Sequence, residues 1–442
     1  MDASTGEYQK TDLEPLTATE EMCEDKVMAS SRVFIDVAQT IQYLSVHSSV
    51  SGLQRVVLSI IEEFNSNNRT RIIPVCYRYT TGDFVEPNLE DIALLISLLK
   101  SSANIGNRND LADKILSDMN NAPAIDFQSQ DTLLVLESVW ITENYFANVF
   151  KYRPDGLLVI TMLHDLIPTL DPTFMDEVGP RFHRYLHGVS LASDRVITNS
   201  NSTRNDFSAY CAAHSLLEAP GCVTQLPGGI DHFPDLQDHE SDLNDFEIWP
   251  RPYILMVGTI EVRKNHLVAL HAWQDLIQKR GSQNVPDLVC VGKIGWNVEQ
   301  FFSELALSDD TVKDRIHLMT ENVVDDHLKS LYQNCLFTIY PSSYEGWGLP
   351  VSESLDFGKA VITTSVSSMP EAGMEFAKYV PPADSCALAK AISEFLDDPE
   401  IPQALGLHAI NNRERIDWHT VVNRIIYEID DLRKSNNALR TN

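Results

Sequence analysis

Two carboxylates eight residues apart and a pair of adjacent cations are the parts of this sequence best suited to chemistry. Glu345 and Glu353 lie in Tyr340-Pro-Ser-Ser-Tyr-Glu-Gly-Trp-Gly-Leu-Pro-Val-Ser-Glu353. Gly346 and Gly348 there let a backbone approach a ligand, and Pro350 suits the first turn of a helix. The leading N–H groups of such a helix are unpaired and carry partial positive charge, so the loop is suited to a phosphate or an electron-rich sugar oxygen. Arg263 and Lys264 sit in Gly258-Thr-Ile-Glu-Val-Arg-Lys-Asn-His266, where a glycine again follows an apolar run. Two cations, a glycine loop and a helix N-terminus brought together would hold a diphosphate. A plain strand-to-helix connection with two surface glutamates, and a solvated basic pair, would have the same spacing.

For the two segments to meet, both must leave the carboxyl ends of strands in one parallel sheet, the edge where ligands bind. Short β-branched and apolar runs at 33–37, 71–77, 132–136, 157–163 and 195–198 alternate with longer amphipathic stretches, and the alternation restarts at 253–257, 287–291, 337–340 and 360–363. From Gly52 the apolar residues Leu53, Val56, Val57, Ile60, Ile61 and Phe64 keep helical spacing, and further helices are expected from His266, Asp325, Pro350 and Asp384. The fold class is α/β, with two Rossmann-like domains facing each other across a cleft. The first is expected over 31–233 and the second over 251–417. Residues 231–247 hold seven acids and no Lys or Arg, which marks 234–250 as an acidic linker. Residues 1–30, with eight acids and two lysines, are expected as a disordered acidic tail. Residues 418–442, apolar at Val422, Ile425, Ile426 and Ile429, are expected as a C-terminal helix able to cross back to the first domain.

Composition narrows the classes of partner. The 442 residues suffice for two or three domains. Thirty-four Lys and Arg against 63 Asp and Glu leave a net charge of −29, which repels nucleic-acid backbones and anionic lipid surfaces. Apolar runs such as 157–163 fall far short of the roughly 20 residues that span a bilayer, and no secretory signal opens the chain, so a cytoplasmic location is expected. The seven cysteines form no C-x-x-C pair, and no D-x-D triplet occurs.

Together, EGWGLPVSE, GTIEVRKN and His164-Asp-Leu-Ile-Pro168 resemble the retaining glycosyltransferases of family four, which have the GT-B fold. HDLIP and RKN are most similar to the bacterial mannosyltransferase-type members. The resemblance runs from about Val33 to the final helix near residue 434. It implies that Lys264, with Arg263, neutralises a donor diphosphate, that Glu353 holds the ribose hydroxyls, and that Glu345 with Gly346, Trp347, Gly348 and Leu349 faces the transferred sugar. Many members carry an arginine directly after the glycine of the second-domain strand. Here Thr259 follows Gly258, which leaves Arg263 and Lys264 more of the phosphate charge.

By the same resemblance, His164 and Asp165 reach the reacting centre from the opposite wall and join Glu345 as the expected catalytic residues. Ser51-Gly52-Leu-Gln-Arg55 resembles the family's acceptor-side loop, which places Gly52 and Arg55 with the acceptor, and the loops of 82–131 are expected to shape its site. The implied activity is transfer of a mannose-like hexose, with retention, to a hydroxyl of a glycan or lipid-linked glycan, as in polysaccharide biosynthesis. The donor is a nucleotide sugar, GDP-mannose preferred, with no cofactor and no metal. Alternatives are a sugar-nucleotide epimerase on the same scaffold and a non-catalytic carbohydrate-binding relative. A dinucleotide oxidoreductase is disfavoured because no G-x-G-x-x-G follows the first strand.

Overall fold

Runs that are buried on both faces build two six-stranded sheets. The computed structural model describes residues 32–47, 50–67, 70–99, 105–170, 178–228, 250–320, 323 and 325–440. The acidic tail and all but the last residue of the 234–250 linker lie outside them. In the first sheet, β1 (Val33–Asp36), β2 (Ile72–Arg78), β3 (Asp83–Val85), β4 (Thr132–Val135), β5 (Leu158–Leu163) and β6 (Arg195–Thr198) take the order β3-β2-β1-β4-β5-β6. All its pairings are parallel except β2 with β3. β1, β4 and β5 are buried along their whole length, which is why they read as continuous rather than alternating apolar runs.

The second sheet is wholly parallel. Its strands β7 (Tyr253–Val257), β8 (Asp287–Val291), β9 (Ile316–Met319), β10 (Thr338–Tyr340), β11 (Val361–Thr364) and β12 (Ala377–Val380) take the order β12-β11-β10-β7-β8-β9. Each sheet therefore has the doubly wound Rossmann order, with its direction of growth reversing once. In the second sheet the reversal falls between β7 and β10. The loops carrying Lys264 and Glu345 follow those two strands, so they flank the crevice where open α/β sheets bind ligands.

Strands β3, β9 and β12 are absent from the sequence-based expectation, and all three are sheet edges. Edge strands pair on one side only, and β9 and β12 are mostly half-buried, with His317 and Lys378 interrupting their apolar runs.

The helix Gly52–Ser66 buries Val56, Val57, Ile60, Ile61 and Phe64 against the first sheet. The last helix, Trp418–Arg440, packs on it. Val421, Val422, Ile425, Ile426, Ile429 and Leu432 of that helix join the apolar cluster that holds the first sheet and extends to Val351, Leu355, Val361 and Met369 of the second domain, while a separate cluster forms around Ile254, Leu270 and Trp273. Polar ties reinforce the return: Arg195 Nη2 donates to Asp431 Oδ2 at 2.8 Å, and Arg433 Nη2 to the Arg32 carbonyl at 3.0 Å.

Other contacts join the domains at the cleft. Tyr344 Oη donates to Asp206 Oδ2 at 2.6 Å and Lys293 Nζ to Tyr43 Oη at 2.7 Å. Glu371 accepts from the N–H groups of Asn201 and Ser202, at 2.8 Å each, at the start of the helix Asn201–Ala213. An acidic side chain there complements the helix dipole. Cys76, Cys211, Cys222, Cys290 and Cys335 are buried free thiols that fill apolar space, and Cys386 is exposed. Among the described residues no helix is long and apolar enough to cross a membrane.

Candidate active site

After β7 the chain turns at Gly258, φ 146°, and passes through the single turn Val262–Lys264 to Asn265, φ 61°. Asn265 Nδ2 donates to the Pro341 carbonyl and to Ser343 Oγ, at 2.7 Å each, and so fastens this loop to the one that follows β10. The second loop runs through Gly348, φ 102°, into the helix Leu349–Asp356, with Pro350 in its first turn. Two serines after β11 fix its course. Ser367 Oγ accepts from the Glu345 N–H at 2.9 Å, and Ser368 Oγ donates to the carbonyls of Glu345 and Trp347 at 2.9 and 2.8 Å.

This pinning brings Arg263 and Lys264 onto Glu345. Glu345 Oε1 accepts from Lys264 Nζ at 2.5 Å, Ser342 Oγ at 2.5 Å and Tyr340 Oη at 2.9 Å, and lies 2.6 Å from Arg263 Nη1. Among the described residues no hydrogen bond goes to Oε2. Arg263 also donates from Nη2 to Glu261 Oε1 and from Nη1 to the Tyr344 carbonyl, at 2.5 Å each. Burial by itself would raise the pKa of Glu345, but the charges of Arg263 and Lys264 outweigh it and hold the carboxyl down at about 2. Burial and the neighbouring Arg263 draw the Lys264 ammonium below its ordinary value, with Glu345 opposing. The cluster is thus an ionised carboxylate saturated on one oxygen, set between two cations.

Glu353 lies one turn into the helix and is 3% exposed. Its Oε2 accepts from Tyr332 Oη at 2.7 Å, and burial raises its pKa, with Arg55 opposing. From the facing wall, His164 follows the fully buried β5. Its Nε2 is 2.7 Å from the Leu136 carbonyl, which can only accept, so Nε2 carries the proton. Burial lowers the imidazole pKa and keeps the ring neutral at pH 7, with Nδ1 as an acceptor. Asp165 Oδ1 caps the turn at Ile167, whose N–H is 3.0 Å away.

The cleft holds two joined chambers of about 380 and 520 Å³, together large enough for a drug-sized ligand. Every residue singled out from sequence lines the smaller chamber: Glu345, Glu353, Arg263, Lys264, Gly258, Thr259, Gly346 to Leu349, His164, Asp165, Gly52 and Arg55. Two of these residues also make contacts across the domains. Arg55, expected on the acceptor side, reaches across to the second domain and donates to Asp325 Oδ1 at 2.6 Å. Gly346 serves the domain interface: a Cβ there would come within 1.9 Å of the His164 carbonyl oxygen.

None of the described residues of 82–131 lines either chamber. Tyr340, Ser342, Glu261, Ser367 and Ser368 complete the cluster without having been singled out. Tyr340 had a signal, since it ends a strand inside the most informative stretch, whereas the serines follow no spacing rule. Trp347 also lines the chamber, and its indole N–H is buried with no partner among the described residues. No group of three or more His, Cys, Asp or Glu side chains among the described residues is arranged to hold a metal ion.

Comparison with known proteins agrees with this geometry. The family described as "Glycosyl transferases group 1" matches residues 243–412. A serotype-specific mannosyltransferase, WbdA of Escherichia coli, is 25% identical over 368 residues, covering 80% of this chain and 42% of that protein. The O-antigen chain mannosyltransferase B of Escherichia coli is 27% identical over 174 residues, covering 39% of this chain and 44% of that protein. The chain thus spans less than half the length of these relatives. Among solved structures, Anabaena Alr3699/HepE in complex with UDP and glucose superposes with a TM-score of 0.58 at 13% identity, covering 90% of this chain and 99% of that one. Sucrose-phosphate synthase from Thermosynechococcus elongatus gives 0.56 at 15% identity, covering 93% and 98%. Residues 243–412 thus match the group 1 glycosyl transferases, and the chain as a whole, with its GT-B fold, resembles bacterial mannosyltransferases.

Proposed function

We propose that the cleft binds a nucleotide-diphosphate sugar and transfers its hexose, mannose by preference, to an acceptor hydroxyl with retention at the anomeric carbon. The observation that carries this reading is the Lys264–Glu345–Arg263 cluster, held at the switch point of the second sheet and faced by His164. The mannosyltransferase relatives favour mannose, and GDP-mannose is the preferred donor.

The chemistry follows from the charges. The leaving diphosphate gains negative charge as the C1–O bond breaks. Lys264, Arg263 and the N–H groups opening the helix at Leu349 are the groups placed to stabilise it, at about 3–4 kcal/mol per well-placed donor. Glu345 Oε2 faces the positive charge that develops on the sugar ring. A carboxylate held at about 2 by two cations is a weak nucleophile, which favours same-face attack over a glycosyl-enzyme. In that step the acceptor oxygen bonds to C1 as the phosphate departs, and the acceptor's proton passes to the departing phosphate oxygen. Neutral His164 accepts from a sugar hydroxyl at Nδ1. The cations supply the charge stabilisation that a divalent ion supplies elsewhere, so the transfer runs without metal.

Proton NMR of the product tests this. An α-linked donor such as GDP-mannose should give an α-linked product at a rate unchanged by chelator. A β-linked product would refute retention, and loss of activity on chelation with recovery on adding magnesium or manganese would refute metal independence. Donor incubated without acceptor should keep its sugar configuration; accumulation of an epimeric sugar nucleotide would point to an epimerase instead.

A further inference from the structure

Asn199 stands directly after β6, as His164 stands directly after β5. The parallel register pairs Leu163 with Thr198, so the next residue of each strand, His164 and Asn199, lie side by side at the carboxyl edge of the first sheet. Both line the smaller chamber together with Lys264 and Glu345 of the second domain. Asn199 is only 3% exposed, and the helix that follows makes no use of its side chain. Ser200 caps that helix instead, its Oγ accepting from the Thr203 N–H at 3.0 Å.

Thr203 fixes which way the Asn199 amide faces. Its buried hydroxyl accepts from Ser200 Oγ at 3.0 Å and turns its own proton to the nearest carbonyl oxygen, Asn199 Oδ1 at 3.1 Å. The carbonyls of Gly346 and His164 lie farther from it, at 3.3 and 3.4 Å. With Oδ1 held by Thr203, the two N–H donors of Nδ2 lie on the other side of the amide, and among the described residues no hydrogen bond uses them. A ligand that strips solvent from the chamber must bring an acceptor to Nδ2, because a buried donor left unpaired is costly. Beside it His164 Nδ1, with the ring proton on Nε2, only accepts. A donor and an acceptor at adjacent positions complement hydroxyl groups, which do both, and not a phosphate or a ring oxygen, which only accept.

We infer that Asn199 is a sugar-binding residue, donating from Nδ2 to a hydroxyl of the transferred hexose next to the one from which His164 Nδ1 accepts, with Thr203 as its positioning residue. The inference rests on the nucleotide-sugar reading above and makes Asn199 a residue that selects the sugar rather than the nucleotide.

Isothermal titration of the full-length chain with GDP-mannose and with GDP tests it, or with UDP-glucose and UDP if the chain binds uridine nucleotides instead. Asn199→Ala should weaken nucleotide-sugar binding about three- to tenfold, the range of one neutral hydrogen bond, and leave free-nucleotide binding within about twofold. Among donors that lack one sugar hydroxyl at a time, one should bind the unsubstituted chain that much more weakly and lose nothing further in Asn199→Ala, the signature of a residue and a hydroxyl acting through one contact. Thr203→Val, which keeps the shape of the side chain and removes its hydroxyl, should weaken nucleotide-sugar binding, add nothing in Asn199→Ala and leave free-nucleotide binding in place. A merely structural role for Thr203 would move both affinities.

Unchanged nucleotide-sugar affinity in folded Asn199→Ala would overturn the inference and leave the nucleotide reading standing. Equal losses for nucleotide and nucleotide sugar would also overturn it. If Asn199→Ala fails to fold, unchanged nucleotide-sugar affinity in both Thr203→Val and Asn199→Asp, which keeps the oxygen facing Thr203 but has no N–H, has the same force. A chain that binds neither GDP nor UDP would remove the nucleotide reading itself, and this inference with it.

Discussion

Glu345→Gln should lower turnover by about a hundredfold to a thousandfold, the scale seen when one preorganised electrostatic contact to a transition state is removed. The amide keeps the shape of the side chain but removes the anion on which Lys264, Arg263, Ser342 and Tyr340 converge. Developing positive charge on the sugar ring then meets no counter-charge. Free-nucleotide binding should hold or strengthen, because Arg263 and Lys264 lose the carboxylate that competes with the diphosphate for them. The substitution also leaves two buried cations with Glu261 alone. Breaking a buried pair in this way costs about 3–5 kcal/mol of stability, so a lower melting temperature is expected alongside the kinetic loss. Steady-state kinetics and nucleotide titration on the folded variant separate these effects. Parallel losses in turnover and in nucleotide affinity would contradict a role for Glu345 at the reacting sugar.

Truncation after Arg415 should unfold the first domain while the second persists. The deleted helix carries six aliphatic side chains buried in the cluster that holds the first domain's sheet. At about 1.5–3 kcal/mol each, their burial is worth on the order of 10 kcal/mol. A whole domain is stable by only about 5–15 kcal/mol. The loss also exposes the face of the helix Gly52–Ser66 that they cover, and it strands Arg195 without Asp431 and Glu428. The second domain shares that cluster through Val351, Leu355, Val361 and Met369, but it keeps a separate one around Ile254, Leu270 and Trp273 that the helix does not touch. Limited proteolysis mapped by mass spectrometry should show cleavage throughout 32–228 and protection across 250–412. Equal protection of both regions would show that the last helix is dispensable to the first domain.

What the sequence discloses, and what it does not, divides along physical lines. Lys264 and Glu345 were legible because each lies between an apolar run and a helix start, so local chemistry and local structure coincide. His164 was legible because a fully buried strand leads directly into it. The edge strands β9 and β12 were not, since half-buried edges tolerate the polar residues that break an apolar run, and β3 is only three residues long. Arg55 illustrates a deeper limit. Its ion pair with Asp325 spans 270 residues and depends on how the two domains face each other, which no local pattern encodes. Gly346 has the same origin: a glycine beside a functional loop suggests room for a ligand, whereas here the close neighbour is the backbone of His164.

Isothermal titration of GDP and UDP into the full-length protein and its Lys264→Ala variant decides whether a diphosphate is held where the two second-domain loops meet. The unsubstituted chain should bind at least one of the two nucleotides. Lys264→Ala, in which Arg263 still pairs with Glu345 and supports the fold, should bind it about 10- to 100-fold more weakly, as expected for loss of one charge-assisted contact. Unchanged affinity in a folded Lys264→Ala protein would contradict the assignment of this cluster as the donor diphosphate site.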